Sequence, residues 1–159
     1  MRCRSVALGL LGCLVAHPAF AQVHSEKYAS VGAVTPGDDP PRLHLSGGAD
    51  RVFDRASFGA DAGFVYFGRG GRSQDDGFLT IASVTGAFHP APPTRRLQPF
   101  ISAGPSLVGA YVGWHAGGGA TYWWARRTGL RVDLRVIAPF SGEGGLVLAR
   151  AGVAFRTLR

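Results

Sequence analysis

Cysteine is confined to the first stretch of this 159-residue chain, where Cys3 and Cys13 are the only two. If that stretch is a removable leader, the mature chain has no thiol. Disulfides, thiol catalysis and cysteine-ligated metal are then excluded. Asparagine is absent altogether, and Lys27 is the single lysine, so arginine carries the positive charge. Beyond the leader no apolar run approaches the ~20 residues a membrane-spanning helix needs. No segment of useful length repeats with the 3.6-residue helical period either. Metal-ligand spacing is also missing: there is no His-x-x-x-His and no dense carboxylate cluster, so no cofactor is expected.

The leader itself has a clear pattern. Arg2 and Arg4 precede an apolar stretch from Val6 to Ala16, and Ala19-Phe20-Ala21 forms a small-x-small cleavage site. Residues 1–21 therefore read as a secretory signal peptide, and the mature domain as 22–159. Without Arg2 and Arg4, fifteen basic residues face ten acidic ones, leaving a net charge of +5. Nucleic-acid binding would need those cations clustered on one face. They fall instead singly on alternating segments or in pairs at turns, so no nucleic-acid partner is expected.

What the mature chain does contain is a two-residue beat. From Gly129 to Ala138, Leu130, Val132, Leu134, Val136 and Ala138 occupy one side, and Arg131, Asp133 and Arg135 the other. Successive side chains of a strand point to opposite faces, so this segment is a ribbon with one greasy and one charged face. Segments of similar character fall at about 26–34, 42–53, 56–68, 77–88, 98–110, 112–124, 129–138 and 145–157. Eight is the smallest strand number of bacterial membrane barrels, and most of these segments reach the ~9–11 residues a tilted membrane strand requires. The first segment is the weakest, because Glu26 to Val31 alternates poorly. With a secretory leader in front, the pattern predicts an all-β chain: an eight-stranded antiparallel up-and-down transmembrane β-barrel in the outer membrane.

The beat also predicts which way each side chain faces. Leu43, Leu45, Phe58, Phe64, Tyr66, Ile101, Leu107, Val147, Val153 and Phe155 are expected to meet lipid. Trp114 at one end and Tyr122 with Trp124 at the other would form aromatic girdles at the two interfaces. The opposite faces carry Asp50, Asp61, Arg131, Asp133, Arg135 and Arg150, together with His44, Ser102, Ser106, His115 and Thr121. An eight-stranded barrel is just wide enough for side chains to fill it. Charges inside must pair, because an isolated buried ion is costly. A polar network packing the lumen is therefore expected in preference to an ion path.

Connections alternate in charge as well. Those around Asp38-Asp39, Asp75-Asp76 and Glu143 are acidic and turn-rich; those carrying Arg95-Arg96 and Arg126-Arg127 are basic. With both termini in the periplasm, the acidic set would lie outside the cell. Glycine, 24 residues in all, recurs inside the strand segments, as at Gly59, Gly63 and Gly117-Gly118-Gly119. Glycine there suits a small, strongly curved barrel. No helix or Lys-Ser/Thr pair follows Gly119, so this is no phosphate loop. Catalysis would need a nucleophile and a base together, for which Ser102 or Ser106 with His115 is the available pairing. A serine–histidine contact in a polar lumen reads first as a hydrogen bond, and no enzyme is expected.

Three runs in order carry a resemblance: Leu97-Gln98-Pro99-Phe100-Ile101-Ser102-Ala103-Gly104, then Gly113 to Trp124, then Gly129-Leu130-Arg131-Val132-Asp133-Leu134-Arg135. Followed by Ala151-Gly152-Val153-Ala154-Phe155-Arg156, they resemble the small outer membrane protein β-barrel family, similar to the OmpA and OmpX barrels. The resemblance spans roughly 97–157 well and 42–90 loosely. It implies an outer-membrane location and a barrel architecture rather than a reaction; the chain is expected to be a non-enzymatic, monomeric barrel with a structural, surface-interaction or minor porin-like permeability role. Its partners would be outer-membrane lipid and lipopolysaccharide, and the barrel-insertion machinery. The chain departs from the common pattern at its end, Phe155 to Arg159, which lacks a final aromatic residue. The competing expectation is a secreted or periplasmic lipocalin-like barrel with an apolar ligand inside, which requires the greasy faces to point inward.

Overall fold

The computed structural model describes residues 24–37, 39–67, 77–140 and 144–158. The leader and the acidic residues Asp38, Asp75, Asp76 and Glu143 lie outside them. Eight strands follow in order: β1 (His24–Pro36), β2 (Arg42–Phe53), β3 (Ala56–Phe67), β4 (Gly77–Phe88), β5 (Leu97–Val108), β6 (Tyr111–Trp123), β7 (Thr128–Pro139) and β8 (Leu146–Leu158). Each pairs antiparallel with its neighbours in sequence, and β1 pairs with β8, so the sheet closes as an up-and-down barrel.

Closure depends on β1, the segment whose alternation is poorest. It pairs with β2 from His24↔Val52 to Val34↔Arg42 and with β8 from His24↔Leu158 to Pro36↔Leu146. Lys27 breaks the greasy beat because it projects outward near the end of the barrel, where the β1 ladder begins. A long cationic side chain is tolerated there because it is exposed and can carry its charge beyond the apolar part of the wall.

Two tight links use residues that accept positive φ. Gly109 (φ 57°) and Ala110 alone connect β5 to β6, and Asp54 (φ 49°) with Arg55 connects β2 to β3. Aspartate is among the few non-glycine residues that enter this region readily. The β4–β5 ladder is interrupted where Val84 and Thr85 face Pro105 and Gly104, since Pro105 has no N–H to donate.

The two faces separate cleanly. Leu43, Leu45, Phe58, Phe64, Tyr66, Ile101, Leu107, Leu130, Val132, Leu134, Val136, Val147, Val153 and Phe155 are exposed on the outer wall. Trp114 lies at one end of that wall, and Tyr122 and Trp124 at the other, all three exposed. The lipocalin-like alternative is therefore overturned, since the greasy faces point outward.

Glycine on the inner face makes room for the large residues there. A Cβ at Gly48 would fall 2.7 Å from the Asp61 Cβ, and one at Gly119 would fall 2.8 Å from the Asp133 Cβ. At Gly152 it would sit 2.6 Å from the Ser30 Cβ and collide with the Ala29 carbonyl. Gly152→Val is expected to lower folding stability by about 1–3 kcal/mol through overpacking at the β1–β8 seam. A denaturant titration of the refolded variant measures this.

Candidate functional site: the charged lumen

The lumen is layered along the barrel axis. At the end away from the termini, Val34, Val65, Ile81, Ile137 and Leu148 form a buried apolar cluster, with Leu79, Val108 and Leu146 packed against it. A polar layer comes next. His115 Nδ1 lies 2.8 Å from Ser106 Oγ, which in turn lies 2.8 Å from Ser83 Oγ, and His115 Nε2 lies 3.3 Å from Thr85 Oγ1.

The middle of the barrel holds the charges. Asp61 accepts from two guanidinium groups, Arg135 at 2.7 Å and Arg150 at 2.9 Å. Arg150 Nε also donates to both Asp133 oxygens, at 2.9 and 3.0 Å. Arg135 Nε lies 3.5 Å from Asp133, completing a ring of two acids and two arginines. Arg131 binds Asp50 at 2.8 Å and lies 3.8 Å from Asp133 and 3.9 Å from Glu26. Its guanidinium sits between two rings, 4.3 Å from the Tyr28 centroid and 4.4 Å from that of Phe100. Thus Asp50, Asp61, Arg131, Asp133, Arg135 and Arg150 form one connected cluster.

Strand register explains the cluster. Asp133 and Arg150 are directly opposed across β7–β8, while Arg131, Asp133 and Arg135 follow one another on the inner face of β7. Asp50 and Asp61 come from β2 and β3, on the other side of the barrel, so the arginines reach across the lumen. Residues that the two-residue beat does not assign to the lumen complete the arrangement: Tyr28, Phe100 and Glu26. Their positions follow from parity on β1 and β5, where Val31 and Ile101 face out.

The terminal end of the lumen is also occupied. His24 Nε2 lies 2.6 Å from Glu26 Oε1, Trp123 Nε1 donates to Gln98 at 3.1 Å, and Ser57 Oγ lies 2.9 Å from His89 Nε2. His89, in the β4–β5 link just past β4, has its imidazolium form held below the usual range, chiefly by burial. The unfolded chain accepts that proton below about pH 6.5, whereas the folded chain resists it. Stability contributed by neutral His89 is thus complete above that pH and declines as pH falls toward the lower folded value. Unfolding midpoints at pH 7.5 and 5.5 are expected to differ more for the native chain than for His89→Gln.

Among the described residues this interior is filled by side chains. Arg135 is 1% exposed, His115 1% and Arg150 4%, so no opening past them is seen. The Ser106–His115 pair is present, but among the described hydrogen bonds no carboxylate orients the ring, and both residues are buried. Ser102, further along the inner face of β5, is buried with no partner for its hydroxyl among the described residues. Among the described residues, no three His, Cys, Asp or Glu side chains converge as a metal site.

No protein-family model matches the sequence, and no curated protein is significantly similar to it. Solved structures do match. The N-terminal β-barrel domain of Pseudomonas aeruginosa OprF superposes with a TM-score of 0.66 at 16% identity, covering 86% of this chain and 98% of that one. Neisserial surface protein A (NspA) gives 0.64 at 12% identity, covering 84% and 96%. A de novo designed transmembrane β-barrel gives 0.61 at 20% identity, covering 86% and 97%. The fold is that of the eight-stranded transmembrane barrels.

Proposed function

We propose that this chain, with the fold of the small transmembrane barrels, is a non-enzymatic outer-membrane protein with a structural or surface-interaction role. The observation that carries this reading is the pairing of an apolar outer wall with a lumen sealed by its own ion pairs. Lipid satisfies the first, and in the second the arginines and aspartates pair with one another. Residues 1–21 act as a cleaved signal peptide, and the termini lie in the periplasm. The barrel is a monomer in contact with lipid and lipopolysaccharide, delivered by the insertion machinery.

Minor permeability is the weaker part of this reading, because ions would have to displace both the arginine–aspartate ring and the apolar cluster above it. The refolded protein in a planar lipid bilayer is expected to give no sustained single-channel steps at neutral pH. Steady ohmic conductance would instead assign the lumen a transport role.

A further inference from the structure

The outer rim of the terminal end has a feature the lumen does not explain. Arg95 and Arg96 close the β4–β5 link, and Arg126 and Arg127 lie in the β6–β7 turn; all four are exposed, and none is in an ion pair among the described residues. The backbone beneath them is firmly held. Gln98 donates to the carbonyls of Pro93 (2.6 Å) and Arg95 (3.2 Å), and the Trp123 amide donates to the Arg96 carbonyl (2.7 Å). Arg156 ties the two turns together: its Nε donates to the Arg126 carbonyl (2.6 Å) and an Nη to the Pro93 carbonyl (3.3 Å). Its guanidinium stacks on Trp123 at 4.5 Å, so Arg156 is spent on structure and leaves the other four free to bind.

Two further observations define what would bind. The exposed carboxylate described at this end is Asp54, in the β2–β3 turn, which the strand order places across the barrel mouth from β6–β7. The arginines are also continuous with a greasy wall. Leu97 pairs with Tyr122, Tyr122 with Leu130, and Trp124 follows directly, all exposed and outward. Lys27, paired with Phe155, extends the basic level along β1. A soluble anion would use the cations and leave the wall unexplained.

We propose that Arg95, Arg96, Arg126 and Arg127 form a binding site for anionic glycerophospholipid. Its phosphate sits on the guanidinium groups, and its acyl chains run along Leu97, Tyr122, Trp124 and Leu130. The site rests on the membrane reading above and adds a lipid class and a face to it. Guanidinium groups suit phosphate because their planar donors engage two oxygens at once. A cluster of arginines beside the aromatic girdle meets the headgroup level, where anionic lipid is drawn to basic side chains.

The test uses Trp124 as reporter in a Trp114→Phe background, Trp123 being buried inside the barrel. The protein is refolded into phosphatidylcholine vesicles containing an equal fraction of brominated phosphatidylcholine or brominated phosphatidylglycerol. Quenching of Trp124 should report roughly fivefold local enrichment of the anionic lipid, weakening as salt rises. Replacing all four arginines by glutamine should abolish the preference while leaving the heat-modifiable gel band of the folded barrel unchanged. Free inorganic phosphate at the concentration of the anionic lipid should not displace it. Equal quenching by both lipids, a preference that survives the four glutamines, or displacement by free phosphate would each overturn the site with the barrel reading intact. Failure to fold in any vesicle would overturn the membrane reading, and the site with it.

Discussion

Replacing Asp61 by alanine is expected to destabilise the folded barrel by about 3–5 kcal/mol, the cost of leaving a buried charge without its partner. Asp61 accepts from Arg135 and Arg150 together, at 2.7 and 2.9 Å, so one truncation disturbs two buried cations. Arg150 keeps Asp133, but Arg135 is left only a 3.5 Å approach to that same carboxylate. The residue paired with it across β2–β3 is Gly48, which offers no side chain to replace it. Asp50→Ala should cost less, because Arg131 retains Asp133, Glu26 and two aromatic faces. Urea or guanidinium titration of the refolded proteins gives the order Asp61 above Asp50. Equal, small losses would mean that water reaches the arginines and that the lumen is open.

The second large effect belongs to the outer wall. Leu134 lies near midspan of β7, faces outward and is 54% exposed. In hydrocarbon, Leu134→Arg is expected to cost about 2–4 kcal/mol. Arg126→Ala, in an exposed turn whose contact to Arg156 is made by the main-chain carbonyl, should cost little. Were both equally tolerated in the same titration, the outer wall would not face lipid. The pair of variants separates this claim from general fragility, because only one of them alters the apolar wall.

Different parts of the molecule were legible in the sequence to different degrees, for reasons visible in particular strands. The β7 run is readable because it alternates without interruption through Arg131, Asp133 and Arg135. β2 and β4 begin and end where the turn residues place them, and β6 starts one residue early because the link to β5 is only Gly109-Ala110. β1 is obscured by Lys27 on its outer face and by small or polar inner residues such as Ser30 and Gly32. It is nonetheless paired along its length on both sides.

The interior is harder to read than the wall. Parity separates inward from outward, and the polar residues named from it are buried, but parity does not say what crosses the lumen. The apolar cluster of Val34, Val65, Ile81, Ile137 and Leu148 is invisible to a greasy-out, polar-in rule, because there both faces are apolar. In Val136-Ile137-Ala138, for example, alternation disappears where the barrel closes. Tyr28 and Phe100 are missed for a related reason. Aromatics suggest lipid or a core, whereas these two hold a guanidinium between them.

Refolding residues 22–159 with and without detergent micelles, followed by unboiled and boiled samples on a mild SDS gel, tests the central claim most directly. A heat-modifiable band with β-type circular dichroism, formed only in micelles, is the result expected of a barrel whose wall of Leu134, Phe64 and Ile101 meets lipid. A monomer that folds fully in plain buffer would contradict it.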